Sequence, residues 1–329
     1  MIPARDEKMA DQGRLKVVVL SGGGAHTTTY PGVWQAIHER IYAGDSVDED
    51  YVPDHIIGTS GGALFGCLMA VKKNGRLISG ASIKDKFKDQ KPWRMVRIPA
   101  PGEGLNFLLD WGLIDIQKII HELEKVLKGY SITWESLHRP AFQCVIADLT
   151  SGARRYATRD SGLPLATAVG ASMAIPGVFT PVWAPLEKSE GKHCLVDGGV
   201  CEGLPLGAAL QMAPGDAQQK MKILAVSPFR EVLGEEEEAK ECGEGKEEYE
   251  IKDLRDYLQA LYRTLVDSKA CDMVKLLEYS GVESVRVYTG SHAKNALDFS
   301  PETIEENYQL GRDAAHAHME AIHGFFKKP

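Results

Sequence analysis

Leu15-Lys16-Val17-Val18-Val19-Leu20 is a short apolar run that ends at a glycine cluster, Ser21-Gly22-Gly23-Gly24-Ala25-His26. Such a run, rich in β-branched residues and nearly without polar alternation, predicts a strand covered on both faces, as in a parallel sheet. Residues 31–41 follow with Val33, Trp34, Ile37 and Ile41 at helical spacing. The order then repeats, with Asp54-His55-Ile56-Ile57 as a strand and 63–71 as a helix. This βαβα order predicts a parallel sheet with helices packed on it. Farther along, 142–147 and 153–158 read as strands joined through Leu149-Thr150-Ser151-Gly152, a hairpin signal. A short helix over 163–174 is ended by Pro176, and Leu195-Val196-Asp197 closes a brief apolar strand. The pattern adds a core strand at 221–226 and a long helix at 253–277 with Leu254, Leu258, Leu261 and Leu265 in register. It ends with a strand at 282–288 and one closing helix at 301–325 that starts at Pro301. With no internal repeat and no clean linker, the expectation is a single α/β domain over 15–329: a mainly parallel central sheet flanked by helices in three layers.

Composition narrows the function classes. The chain has 329 residues and 43% hydrophobic content, enough for a sizeable core. A net charge of −8 and a pI near 5.7 argue against a nucleic-acid partner, which calls for a basic face. Residues 1–14 form a polar tail with no apolar stretch of the secretory kind, and no run approaches the ~18 apolar residues of a spanning helix. The six cysteines are scattered without metal-ligand or disulfide spacing, so free thiols in a reducing compartment and a cytoplasmic location are expected. Glutamate dominates 231–250, which reads as an acidic, solvated surface insertion.

The candidate chemistry lies at the ends of three predicted strands, the side of an open α/β sheet where ligands bind. Gly58-Thr59-Ser60-Gly61-Gly62 places a serine between glycines, with a strand before it and a helix after it. That is the layout of a nucleophile elbow, where a tight turn and close substrate approach require neighbours without β-carbons. A nucleophilic serine needs a proton acceptor and donors for an oxyanion. Asp197, followed by Gly198 and Gly199, can be the acceptor. The amides of Gly22, Gly23 and Gly24, together with that of Gly61 after the serine, can be the donors, because glycines let a loop aim several N–H groups into one concavity.

Taken together and in this order, these segments resemble the patatin-like phospholipases, which share a glycine-rich oxyanion loop, a G-x-S-x-G elbow and an Asp-Gly-Gly or Asp-Gly-Ala turn. The stretch Gly170-Ala171-Ser172-Met173-Ala174-Ile175-Pro176 is similar to the family's Ala-Ser-x-Ala-x-Pro segment, and the likeness spans about 15–206, weakening in the last strand and helix. The resemblance implies an α/β-hydrolase-like sandwich and a lipid acyl hydrolase. In it Ser60 is the nucleophile and Asp197 the general base of a dyad working through an acyl-enzyme, with no histidine, metal or cofactor required. An aspartate at its ordinary pKa of about 3.9 is a weak base, so burial would have to raise its basicity. Where the family usually has Arg or Lys and then Gly after the glycine loop, this chain has His26 and Thr27. His26 can act as a protonated donor that makes activity pH-sensitive, or simply as a loop histidine bonded to backbone.

Substrate class raises the question of membrane contact. Lys84, Lys86, Lys88, Lys91, Arg94 and Arg97 alternate with Phe87, Trp93, Met95 and Val96 over 84–97. That mixture suits peripheral contact with anionic headgroups, an ordinary solvated loop being the alternative. The apolar density of 104–127 suits the wall of an acyl-chain pocket or plain core packing. His121 and His138, like His316, His318 and His323, lack ligand spacing. The loop also fails the G-x-x-x-x-G-K-[ST] and G-x-G-x-x-G phosphate patterns. A catalytically weak or partner-activated lipid-binding protein is the competing class; no residue identifies an activating partner.

Overall fold

Strand β1 (Leu15–Leu20) is buried from Lys16 onward, with Val17 and Val19 in one apolar cluster and Val18 and Leu20 in another. A strand sandwiched in this way must lie in the middle of the layers, as the run of apolar residues predicts. The computed structural model describes residues 14–42, 51–96, 111–187, 191–213, 221–229, 260, 264 and 275–327. The other strands of the main sheet are β2 (His55–Thr59), β3 (Ala141–Asp148), β4 (Ala153–Ala157), β5 (Val182–Pro185), β6 (Lys192–Asp197), β7 (Met221–Ser227) and β8 (Glu283–Tyr288). Their order is β8-β7-β1-β2-β3-β6-β5, with β4 also paired to β3. The run from β8 to β3 is parallel throughout, whereas β4, β5 and β6 are attached antiparallel. The sheet is thus mainly parallel, as expected, with an antiparallel extension at one end.

Helices cover both faces. The larger cluster takes in α1 (Tyr30–Ile41), α2 (Gly61–Met69), α3 (Gly80–Asp89), α4 (Ile116–Gly129) and α5 (Leu165–Met173). The other face is closed by α6 (Leu206–Met212) and Leu277. The closing helix expected over 301–325 is two helices, α7 (Pro301–Ala317) and α8 (Met319–Phe326). His318 leaves helical geometry at φ −103° and ψ 12° while its Nδ1 bonds to the Ala314 carbonyl, and the bend lets Ile322, Phe325 and Phe326 bury fully. Of the expected helix over 253–277, only Ala260, Thr264 and residues from 275 on are described, all helical. The 231–250 acidic segment and residues 1–13 lie outside the described residues. Cys67, Cys144 and Cys194 are buried free thiols, and Cys201 is half-buried. Among the described residues no helix is long and apolar enough to cross a membrane.

The antiparallel extension is locked to the parallel part by one carboxylate. Asp148, at the end of β3, accepts the N–H groups of Thr150 and Ser151 at 3.1 and 3.3 Å, which shapes the hairpin turn into β4. It also takes the Ser151 hydroxyl, the Arg155 guanidinium from β4 at 3.1 Å and His193 Nδ1 from β6 at 2.9 Å. Burial opposes its charge, yet the hydrogen bonds from Ser151, His193 and Arg155 outweigh that and hold the carboxyl below its ordinary pKa. A depressed native pKa stabilises above the unfolded value of about 3.9 and is lost as pH falls through the native one. Asp148→Asn should therefore lose about 1.5–3 kcal/mol in urea unfolding at pH 7, in line with hydrogen bonds to a charged group. The gap from wild type should close as the pH is brought below the native pKa.

Candidate active site

Ser60 sits between β2 and α2 at φ 55° and ψ −125°, a left-handed conformation that strains any residue with a β-carbon. It is 2% exposed. The surrounding glycines explain how the turn closes. A β-carbon on Gly62 would lie 2.4 Å from the Leu20 carbonyl oxygen, and one on Gly58 2.2 Å from that of Gly62, so strand and helix meet backbone to backbone. The strained turn is braced from a distant part of the chain: the Ser60 N–H donates to Ser172 Oγ at 3.0 Å, and that hydroxyl donates to the Val145 carbonyl at 2.6 Å. Ser172 lies in the segment singled out in the sequence. Its partner is 112 residues away, so no local pattern could have revealed the brace.

Asp197 reaches the same place by the register of β3. Cys144 and Val145 pair with β2 and with β4, which places those two strands on opposite edges of β3. Residues Ile146 to Asp148 pair with β4 and β6, so β6 takes the edge that β2 vacates. Thr59 stands opposite Val145 and Asp197 opposite Ile146. The carboxyl ends of β2 and β6 therefore abut along one edge. Sequence placed Asp197 at the end of a strand but did not show that the strand runs antiparallel, which ordinarily sends its carboxyl end to the far side of the sheet. Asp197 is fully buried; its N–H donates to the Ala174 carbonyl at 2.9 Å, and its Oδ1 accepts the Gly199 N–H at 2.7 Å. The turn is tight, because a β-carbon on Gly198 would lie 2.2 Å from the Val145 oxygen.

The glycine loop lies against the elbow, and a β-carbon on Gly22 would be 3.2 Å from that of Ser60. Its amides are not equivalent. Gly22 donates to the Gly203 carbonyl at 2.9 Å and Ala25 to the Ala296 carbonyl at 2.8 Å, so the Gly22 N–H expected as an oxyanion donor is already engaged. Gly24 opens a short 3-10 turn, Gly23 precedes it, and Gly61 is the first residue of α2. N–H groups at the start of a helical turn have no partner within it, and among the described residues these three amides make no other hydrogen bond. His26 packs edge-on against Phe229 at 5.1 Å between ring centroids. Thr27, rather than His26, lines the pocket beside Ser60, and its Oγ1 fills the space a β-carbon on Gly61 would need.

That pocket is an open cleft walled almost wholly by apolar side chains. Leu64, Phe65 and Leu68 of α2 form its floor beside Ser60, Gly24 and Gly61. Ile119, Leu123 and Val126 of α4 form one wall, which places part of the expected 104–127 lining; residues 104–110 lie outside the described residues. Phe87, Met95 and Val96 form another, together with Lys86, whereas Trp93 of the same stretch does not line it. Of the cations in that stretch, Lys84 and Lys88 pair with Glu305 of α7 at 2.8 and 3.2 Å. Lys86, Lys91 and Arg94 are exposed, and Arg97 lies outside the described residues. Among the described residues no three His, Cys, Asp or Glu side chains converge as metal ligands would.

The model of the patatin-like phospholipase family matches residues 18–210. Uncharacterized NTE family proteins of Mycobacterium tuberculosis and Mycobacterium bovis are each 27% identical over 189 residues, covering 57% of this chain and 44% of theirs. The matched part thus spans less than half the length of those relatives. Among solved structures, ExoU in complex with SpcU, from the type III secretion system of Pseudomonas aeruginosa, aligns with 94% of this chain and 52% of its own at 17% identity and a TM-score of 0.39. Another structure of the type III effector ExoU aligns over 94% and 53% at 15% identity and a TM-score of 0.42.

The brace on the elbow yields a direct expectation. Ser172→Ala removes one acceptor and one donor at a buried position, and should lower unfolding stability by about 1–3 kcal/mol for the two backbone groups left without partners. Chemical denaturation followed by fluorescence measures the loss.

Proposed function

The chain belongs to the patatin-like phospholipase family, and from that premise we propose that it hydrolyses carboxylic esters of acyl lipids, with Ser60 as nucleophile and Asp197 as general base. The observation that carries the reading is the joint placement of a strained serine, three open amides and an apolar cleft. In the proposed sequence Ser60 Oγ attacks the ester carbonyl while its proton passes to the Asp197 carboxylate. The oxyanion takes the N–H groups of Gly23, Gly24 and Gly61. Collapse expels the alcohol, which recovers the proton from Asp197, and water then cleaves the acyl-enzyme by the same path in reverse. The acyl chain occupies the cleft between α2, α3 and α4, where burial of each CH₂ contributes about 0.8 kcal/mol.

The exposed Lys86, Lys91 and Arg94 stand beside the wall residues Phe87 and Met95, which supports contact between this rim and an anionic lipid surface. A competing reading, a catalytically weak or partner-activated lipid-binding protein, is favoured by the engagement of the Gly22 amide. Covalent labelling separates the two. Stoichiometric reaction with a fluorophosphonate probe, abolished by Ser60→Ala, supports the hydrolase; wild-type protein that does not react supports the binder.

Two further outcomes are expected. Asp197→Asn should lower kcat on a short-chain ester by roughly 10²- to 10⁴-fold, the range for a general acid–base group; an unchanged rate would remove Asp197 from the mechanism. Reversing Lys86, Lys91 or Arg94 to Glu should weaken binding to phosphatidylserine vesicles by at least about fivefold per site at low salt, since one basic residue near such a surface contributes about 1 kcal/mol. Hydrolysis of a monomeric ester should be unaffected by the Lys91 and Arg94 changes, Lys86 being also a lining residue of the cleft, and vesicle sedimentation gives the comparison.

A further inference from the structure

Two segments distant in sequence are bonded to the same two residues, Glu202 and Gly203, and so is the aspartate turn that directly precedes these. Thr59, directly before the elbow serine, donates its hydroxyl to the Glu202 carbonyl at 2.9 Å. Gly22 of the glycine loop donates its N–H to the Gly203 carbonyl at 2.9 Å. Gly198, directly after Asp197, accepts the Glu202 N–H at 2.8 Å. Elbow, donor loop and aspartate turn are therefore all tied to one short strap between the turn at Gly198–Val200 and α6.

The strap has no strand or helix of its own to hold it, and its anchor is the Glu202 side chain. Oε1 accepts the N–H groups of Gly207 and, at 3.2 Å, Ala208 in the first turn of α6. Oε2 accepts the Tyr156 hydroxyl at 2.9 Å and pairs with Arg154 at 3.1 Å, both from β4. Gly207 makes room for the contact, since a β-carbon there would sit 2.7 Å from Oε1. The residue is 1% exposed. A carboxylate at that depth is strongly unfavourable unless paired and hydrogen-bonded, and Glu202 meets donors from α6 and β4 at once.

We propose that Glu202 is a positioning residue of the active site: by anchoring the 202–203 strap to α6 and β4, it sets the spacing between the glycine loop, the Ser60 elbow and the Asp197 turn. This rests on the hydrolase reading given above. Capping of a helix start would account for Oε1 alone. It does not account for a strap whose main-chain groups are shared among the three segments of the site.

The test compares Glu202→Ala, Glu202→Gln and Thr59→Val in the full chain on a soluble p-nitrophenyl ester, with rates normalised to the active sites titrated by a fluorophosphonate. Glu202→Ala should lower kcat by about 10²-fold, the effect of a displacement near 1 Å at the chemistry. KM should stay within about twofold, because the cleft is untouched. Glu202→Gln keeps an acceptor for Gly207 and Ala208 and should recover part of the loss. Thr59→Val cuts one tie while preserving shape, and should lower kcat while leaving the thermal midpoint near that of wild type. In Glu202→Ala, hydrogen exchange should also quicken at residues 20–24 and 58–62. Unchanged normalised kcat in Glu202→Ala and Thr59→Val would overturn the proposal, as would a loss that tracks only the unfolded fraction. If Glu202→Ala does not fold, Thr59→Val decides. An unlabelled wild type would instead remove the hydrolase reading, and the exchange measurement would still report on the strap.

Discussion

One edge of β3 is shared by two strands that run toward each other, and the site depends on that sharing. β2 occupies the edge as far as Val145, and β6 takes it from Ile146 onward. With strand residues rising about 3.3 Å each, consecutive partners bring the ends of the two strands together. The arrangement is sensitive to register, because a slip of one residue in β6 would turn Asp197 to the opposite face of the sheet. Asp148 holds that register, since its carboxylate ties β3 to the hairpin turn, to β4 through Arg155 and to β6 through His193.

Around this junction the backbone is over-determined. Ser60 keeps a conformation whose strain is of order 1–3 kcal/mol. It does so because Ser172 holds its amide and the glycines at 58 and 62 let strand and helix approach where a β-carbon would collide with backbone. The strap at 202–203 adds a second set of ties, joining the elbow strand, the glycine loop and the aspartate turn through main-chain groups. On the proposed reading, a site held from several elements would keep its donors aimed before substrate arrives, the condition for electrostatic preorganisation.

The cleft is built differently. Its floor is α2, all of whose residues are buried, so the elbow and the apolar pocket are two consequences of one strand-to-helix unit. Its walls come from α3 and α4, which show an apolar side inward and charge outward. Glu305 of α7 fastens α3 through Lys84 and Lys88, so part of a stretch that looks basic in sequence serves to fix a pocket wall. Among the described residues of that stretch the exposed cations are Lys86, Lys91 and Arg94, interspersed with the exposed carboxylates Asp85 and Asp89.

The parallel half of the fold was legible in the sequence, because β1, β2, β3 and β7 are buried apolar runs and a covered strand cannot be written otherwise. So was the position of each chemical group: glycines flanking Ser60 and following Asp197 mark turns where a β-carbon would collide with backbone. The break at His318 escaped, since a helix can bend without any proline or glycine when core packing favours it. The roles of Ser172, Thr27 and Glu202 escaped as well, along with the engagement of the Gly22 amide, because each depends on a partner far along the chain. The sequence by itself determined which residues could do chemistry and which local turns would carry them. Only the tertiary structure decided that β6 enters antiparallel beyond the end of β2 and which amides stay open, for strand pairing and hydrogen-bond partnership are settled by long-range register and not by local pattern.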